Sequence, residues 1–395
     1  MSARSTLGVD RMDEIMSAAG PIVDEEARAM PGAAAPTGVG LCLSGGGYRA
    51  MLFHLGGLIR LNQLGMLRGL ARVSSVSGGS ITAGLLGLRW KSLMWDASDQ
   101  SANLDDLVIK PIMQFSERSI DVRSFLAGVF TPFRTVSDYV ARQYDRHLFD
   151  GKTLQDLPGS GEGPRFVINA TNVQTGKLVR FSRPYMADYT LGRWLEPKTS
   201  LADAVAASSS FPPVLSPHRI KPSGTFDGTG FTPLYGAEFR KELVLTDGGV
   251  YDNLGLQTAW SRCETLLVSD GGGALEAKVD QPSDWARHGV RITEVIDSQV
   301  RSLRKRQLID AMKQHRRSGA YWGISSDIAE YGLADPLTYV HNPAGYPASV
   351  PTRLTALDGT VQRDLVRWGY VMCDTAVRRW VKPGTPKPDP GDLPS

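Results

Sequence analysis

The stretch Val39-Gly-Leu-Cys-Leu43, Ser44-Gly-Gly-Gly47, Tyr48-Arg-Ala50 changes character twice in a few residues. An apolar run of strand length stops at three glycines. Over residues 48–64 the apolar residues Met51, Leu55, Leu58 and Ile59 then recur at helical spacing, with Gly65 as a stop. The pattern follows again at once. Ala71-Arg-Val-Ser-Ser-Val76 reads as a strand, Ser77-Gly78-Gly79 as a turn and residues 80–90 as a helix. Two strand–glycine turn–helix units in succession predict a parallel sheet with crossover helices. No solenoid period repeats.

Further along, Pro164-Arg-Phe-Val-Ile-Asn-Ala170 reads as a strand, with Leu178-Val-Arg-Phe181 as its hairpin partner across Thr175-Gly176. Leu243-Val-Leu245 and Leu266-Leu-Val268 are short apolar runs that each lead to Asp-Gly-Gly, at Asp247 and Asp270. Residues 285–316 and 362–380 read as helical. Ser124-Phe-Leu-Ala-Gly-Val-Phe130 reads as a buried helix, with a lipid-facing flap as the alternative. The expected architecture is a three-layer α/β/α sandwich with a mainly parallel central sheet and a helical C-terminal extension. Residues 1–36 read as a loose leader and 37–260 as the catalytic core. Residues 261–381 would complete the sheet and add helices, and the Pro-rich segment 382–395 reads as a free tail.

The 395 residues are 42% hydrophobic and 22% charged, a globular composition that excludes wholesale disorder and a collagen-like chain. The formal charge of +3 is too small to argue for nucleic acid. Cys42, Cys263 and Cys373 are odd in number and far apart; they suggest neither a disulfide framework nor a metal site, and fit a reducing compartment. Asp10, Asp13 and Glu14 interrupt the N-terminus, so no signal-peptide core is read there. The uncharged stretch 73–88 is rich in Ser and Gly and shorter than the ~20 apolar residues a bilayer span needs. A cytoplasmic protein with at most peripheral membrane contact is expected.

A serine hydroxyl becomes a nucleophile when it stands clear of the backbone, a base takes its proton and donors await the oxyanion. A tight strand-to-helix turn meets the first condition and needs small neighbours, as in G-x-S-x-G. Here the turn is Ser75-Val-Ser77-Gly-Gly79-Ser80, with Ser77 in the nucleophile position and Ser75 in place of the opening glycine. A plain turn capped by Ser80 is the alternative. Gly45, Gly46 and Gly47 can present amides at a helix start, as an oxyanion hole or a phosphate cradle. The nucleotide reading lacks its acidic residue, because no Asp or Glu lies between Met51 and Trp90, and it lacks a Walker lysine.

Ser44-Gly-Gly-Gly-Tyr-Arg49, Ser75-Val-Ser-Gly-Gly79 and Asp247-Gly-Gly249, in this order, resemble the patatin-like phospholipases. The first motif is also similar to that of the cytosolic phospholipase A2 enzymes. Ala207-Ser-Ser-Ser-Phe-Pro212 and Phe166-Val-Ile-Asn-Ala-Thr-Asn172 match further family segments. The resemblance covers roughly 37–260. It implies a phospholipid or other acyl-lipid substrate and a Ser–Asp dyad working without metal or cofactor. Ser77 would be the nucleophile, Asp247 the base, Gly45–Gly47 the oxyanion loop and Arg49 a substrate-binding residue. Ser75 and Ala50 depart from the family's glycines. The resemblance leaves the need for an activating partner open.

Asp247 and Asp270 are equivalent by local pattern, and Asn253 in Asp247-Gly-Gly-Val-Tyr-Asp-Asn253 favours Asp247 through the resemblance. Partial burial is expected to raise its pKa enough to make it a base. A Ser-His-Asp esterase acting on soluble esters stays open through His288, His315 or His341, of which His341 has the best loop context; His54 reads as a packed helix residue. A non-catalytic anion-binding module is the other alternative. Residues 301–317 carry seven basic residues and one Asp. They read either as a solvated helix face packed on the core, or as an anionic-surface contact with Leu303, Leu308 and Met312 on its apolar side.

Overall fold

The computed structural model describes residues 37–120, 135–229, 236–275, 277, 279–281, 283–339 and 347–394. The leader, the apolar stretch at 124–130 and His341 lie outside the described residues.

In chain order the strands are β1 (Val39–Leu43), β2 (Leu70–Ser75), β3 (Arg165–Asn172), β4 (Lys177–Phe181), β5 (Tyr185–Asp188), β6 (Gly192–Leu195), β7 (His218–Ile220), β8 (Thr225–Asp227), β9 (Leu243–Asp247), β10 (Thr265–Asp270) and β11 (Ser318–Gly323). The α-helices are α1 (Gly47–Gln63), α2 (Gly78–Arg89), α3 (Lys110–Ser116), α4 (Val136–Tyr144), α5 (Leu201–Ser208), α6 (Gly249–Asp252), α7 (Leu256–Trp260), α8 (Trp285–Lys313) and α9 (Gly359–Trp380). The sheet runs β11-β10-β1-β2-β3-β4-β5-β6-β8, with β9 on β3 and β7 on β9.

The sheet is mixed. From β11 to β3 every pairing is parallel, as the two strand–turn–helix units predict. Beyond β3 the pairings are antiparallel; from β3 to β6 the connections of three or four residues are too short for a crossover. The β3–β4 reversal read from Thr175-Gly176 is among them.

Strand alternation divides the core between the two faces. Leu41, Leu43, Leu267, Ala320 and Trp322 join one apolar cluster together with α1, α2 and α9. Their neighbours Cys42, Leu266, Val268 and Tyr321 join a second with Leu256, Ala259 and Leu308. Helices therefore cover the sheet on both sides, as expected of an α/β/α sandwich.

Against α1 lies α9, fastened by the fully buried Asp374, which pairs with Arg60 Nη2 at 2.8 Å and Arg378 Nη1 at 3.3 Å. Arg378 also reaches Asp335 at 2.6 Å. Asp374→Ala should lower unfolding stability by about 3–5 kcal/mol, because two buried guanidinium groups lose their shared carboxylate. Urea denaturation checks this; a loss under 1 kcal/mol would show that water replaces the carboxylate.

One expectation is corrected. The tail is not free: Lys382 Nζ donates to Leu64 O at 2.8 Å, Lys387 Nζ to Pro336 O at 2.9 Å and Gln63 Nε2 to Asp392 O at 3.2 Å. Its lysine side chains and the Asp392 carbonyl tie it to the body although it has no core of its own. Within 301–317, Leu308 is fully buried and Met312 packs beside it, the core-packed face that is one of the two readings, while Leu303 is 48% exposed. Arg304, also buried, lies 3.6 Å from Asp252, while Lys305 sits over the Tyr321 ring. Among the described residues no helix is long and apolar enough to cross a membrane.

Candidate active site

β2 ends with Ser75 opposite Ile168 of β3. β9 runs the other way along the same edge of β3 and ends with Asp247 opposite Ala170. The two strands meet end to end, and the two residues after Ser75 carry the chain to the carboxylate. This register brings together side chains 170 positions apart in sequence.

Ser77 sits at φ 51° and ψ −122°, a backbone region unusual for a residue with a Cβ. Such a conformation costs on the order of 1–3 kcal/mol and needs support from its surroundings. Ser208 Oγ at the end of α5 accepts the Ser77 N–H at 2.9 Å and donates to Asn169 O at 2.6 Å. Ser80 Oγ lies 2.9 Å from Ser208 Oγ and donates to Ser75 Oγ at 3.0 Å. The serine standing where the family has a glycine is thus part of the support. Gly78 is required sterically, because a Cβ there would lie 2.1 Å from Gly47 O.

The Ser77 hydroxyl hydrogen-bonds the Asp247 carboxylate, and Asp247 Oδ1 accepts the Gly249 N–H at 2.7 Å. Burial pushes the Asp247 carboxyl up to about 7, the Gly249 and Ser77 donors pull it down, and the Asp297 carboxylate on α8 adds to the rise. Asp297 is itself raised to about 6 by burial, and its buried Oδ1 has no hydrogen-bond partner.

Asp270 lies elsewhere. It ends β10, which is separated from β2 by β1, and its oxygens accept Gly272 N–H at 2.9 Å and Tyr321 O–H at 2.8 Å. Register separates two aspartates that local pattern could not.

The glycine loop adjoins the serine: a Cβ on Gly45 would lie 3.1 Å from that of Ser77. Its three amides are not equivalent. Gly45 N–H is already taken by Asn253, donating to both its backbone and side-chain oxygens at 3.1 Å, which withdraws it from the expected donor set. The amides of Gly46 and Gly47 meet no acceptor among the described residues, and neither does that of Gly78. Gly46 holds φ 144°, with Gly271 O where a Cβ would come within 2.9 Å.

Arg49 is buried and donates from Nε to Gly271 O at 3.0 Å and from Nη1 to Val350 O at 2.5 Å. Burial and the neighbouring Arg301 lower its pKa to about 10, against the pull of Asp270. These bonds clasp the glycine loop to the chain after β10.

His54 is fully buried, with Nδ1 2.8 Å from Ser269 Oγ and Nε2 2.9 Å from Ser44 O. Burial lowers its pKa to about 4, so it is neutral and bridges the ends of β1 and β10. His288 and His315 are exposed. Among the described residues no histidine nitrogen bonds Ser77 or Asp247.

Sequence reasoning missed Ser208 and Asp297 as parts of this site, and used Asn253 only as a marker of the motif. Ser208 and Asn253 lie inside family-like stretches, so a signal was present. Asp297 gave none, being one acid on a charged helix.

A serine held at positive φ between a strand and a helix marks the class of α/β folds built around an elbow serine. Within that class the chain belongs to the patatin-like phospholipase family, whose profile matches residues 41–260, more than half of its length. No curated protein matches the chain. Human GIVD cytosolic phospholipase A2 in complex with methyl gamma-linolenyl fluorophosphonate inhibitor and terbium chloride is similar in fold, at a TM-score of 0.51 and 14% identity, over 93% of this chain and 62% of that one. The same human enzyme without those ligands gives 0.49 and 14%, over 93% and 63%. VipD from Legionella pneumophila gives 0.32 and 16%, over 86% and 68%. The chain spans less than two thirds of the human enzyme's length.

Proposed function

We propose that the protein is a lipid acyl hydrolase that cleaves carboxylic esters through Ser77 and Asp247. The observation that carries this reading is the Ser77 hydroxyl, strained on its elbow and donating to a buried carboxylate whose pKa is raised to about 7. A base of that strength is matched to neutral pH, whereas an ordinary aspartate near ~3.9 is too weak.

In this mechanism Ser77 Oγ attacks the ester carbonyl as its proton passes to Asp247. The negative charge forming on the carbonyl oxygen is met by the Gly46 and Gly47 amides, with Gly78 as a third donor. Donors of this kind are worth ~3–4 kcal/mol each. The carboxyl then returns its proton to the departing alcohol, and water releases the acyl group by the same steps. Gly45 and Arg49 act by holding the loop in shape.

Incubating a mixed lipid extract with wild type and with Ser77→Ala tests the reading. Acyl-chain release by wild type alone, with a fluorophosphonate adduct on Ser77, is the expected result. No release and no adduct would leave the anion-binding module as the better reading.

The pH profile supplies a second prediction. For a soluble ester, kcat/KM should rise through about pH 7 as Asp247 loses its proton, then level off. Asp297→Asn removes a negative charge that raises the Asp247 pKa, so the rising limb should move to lower pH. A limb that stays in place would show that Asp297 does not act on the base.

A further inference from the structure

α8 lies over the turn that follows Asp247. Arg304 Nη2 donates to Tyr251 O of α6 at 2.9 Å, and Asp297 acts electrostatically on Asp247 itself. The helix buries one face against the body through Leu308 and Ala311. A second side, roughly a third of a turn around the helix from it, carries large apolar residues in the open: Trp285 is 89% exposed, Ile292 45%, Ile296 58% and Leu303 48%. Their spacings of seven, four and seven residues put them in one line along the helix, about 27 Å from end to end. Val250, on α6 beneath α8, is 42% exposed as well. A row of large exposed apolar residues of this kind is unusual on a protein surface unless something covers it.

We propose that this stripe of α8 is the face by which the protein sits on an anionic phospholipid surface, bringing the Ser77 site to its substrate. The inference rests on the lipid hydrolase reading for its purpose. Its physical grounds are separate. Between 285 and 313 the helix holds seven Arg and Lys against three Asp and Glu, and Arg287, His288 and Arg306 are exposed. Apolar side chains entering the acyl boundary beside cations that reach headgroups is the arrangement of an interfacial helix. A second copy of the chain is the weaker occupant. Joining two such stripes would set like-charged helices side by side, whereas an anionic surface complements them.

The test uses the full chain and two separate readouts. Binding to phosphatidylcholine vesicles, with and without phosphatidylglycerol, is measured by co-sedimentation on Ser77→Ala, alone and combined with Ile296→Glu and Leu303→Glu. Both substituted positions are exposed, so folding should survive, and circular dichroism checks it. Trp285→Ala serves as a milder second variant. Hydrolysis of a soluble short-chain ester is measured with Ser77 intact.

The proposal expects binding that strengthens with phosphatidylglycerol and weakens with salt. The double substitution should weaken it at least tenfold and Trp285→Ala severalfold, while soluble-ester turnover stays within twofold. Unchanged vesicle binding in both variants would overturn it. A concentration-dependent dimer that the double substitution dissolves, without vesicle binding, would overturn it in favour of self-association. Stripe-dependent binding by a protein that cleaves no ester would uphold the docking face and sink the hydrolase reading instead.

Discussion

Asp247→Asn will cut turnover of a soluble ester by about 10²–10⁴-fold, the range expected when a general base is removed, and will make the protein more resistant to unfolding at neutral and higher pH. Both effects come from one burial. The folded-state pKa of about 7 lies above the ordinary 3.8, so the folded protein favours the neutral acid. Below about pH 4 the carboxyl is protonated folded or unfolded, and the two proteins should differ little. As pH rises from there to about 7 the wild type loses stability by keeping a proton the unfolded chain releases, and above 7 the loss is constant. Asn escapes it: Oδ1 can still accept the Gly249 N–H, and Nδ2 can donate to Ser77 Oγ. Turnover together with melting temperature across that range checks the prediction. Substantial activity in Asp247→Asn would move the base to Asp270 or to a histidine, and a destabilised variant would contradict the burial argument.

Gly78→Ala will cost about as much by a different route. Its Cβ would fall 2.1 Å from Gly47 O, so the elbow and the glycine loop cannot both keep their places. If the loop yields, the Gly46 and Gly47 amides leave their positions, and losing one such donor costs about 10²–10³ in kcat. If the helix yields, Ser77 moves from Asp247, and a shift near 1 Å can cost ~10²-fold. Overpacking should also remove about 1–3 kcal/mol of stability. The measurements are kcat, KM and denaturation. A fall in kcat with KM nearly constant is expected, and an active, stable Gly78→Ala would show that the loop is looser than its contacts indicate.

The strand–glycine–helix units were legible in residues 39–90 because they depend on near neighbours. Three glycines end a strand, and a 3.6-residue period in Met51, Leu55 and Leu58 makes a helix with one apolar side. The elbow at Ser77 was legible for the same reason, since a tight turn demands small residues beside it. The family likeness narrowed the base to Asp247 where local pattern tied it with Asp270. The antiparallel half of the sheet was legible only at the β3–β4 hairpin.

Local chemistry reaches only as far as such neighbours. The chain carries two strand-end aspartates, three glycines after β1 and a basic helix, each in a plausible local setting. Which aspartate meets Ser77 follows from β2 and β9 sharing one edge of β3, a matter of register between segments far apart in the chain. Which amides stay open depends on Asn253 reaching back to Gly45. That Arg49 donates to the Gly271 and Val350 carbonyls, and that Leu308 faces the core, follow from what packs against them. Pattern in the chain specifies the chemical groups and their local frame, while pairing and burial set their partners and, for Asp247, how firmly it holds a proton.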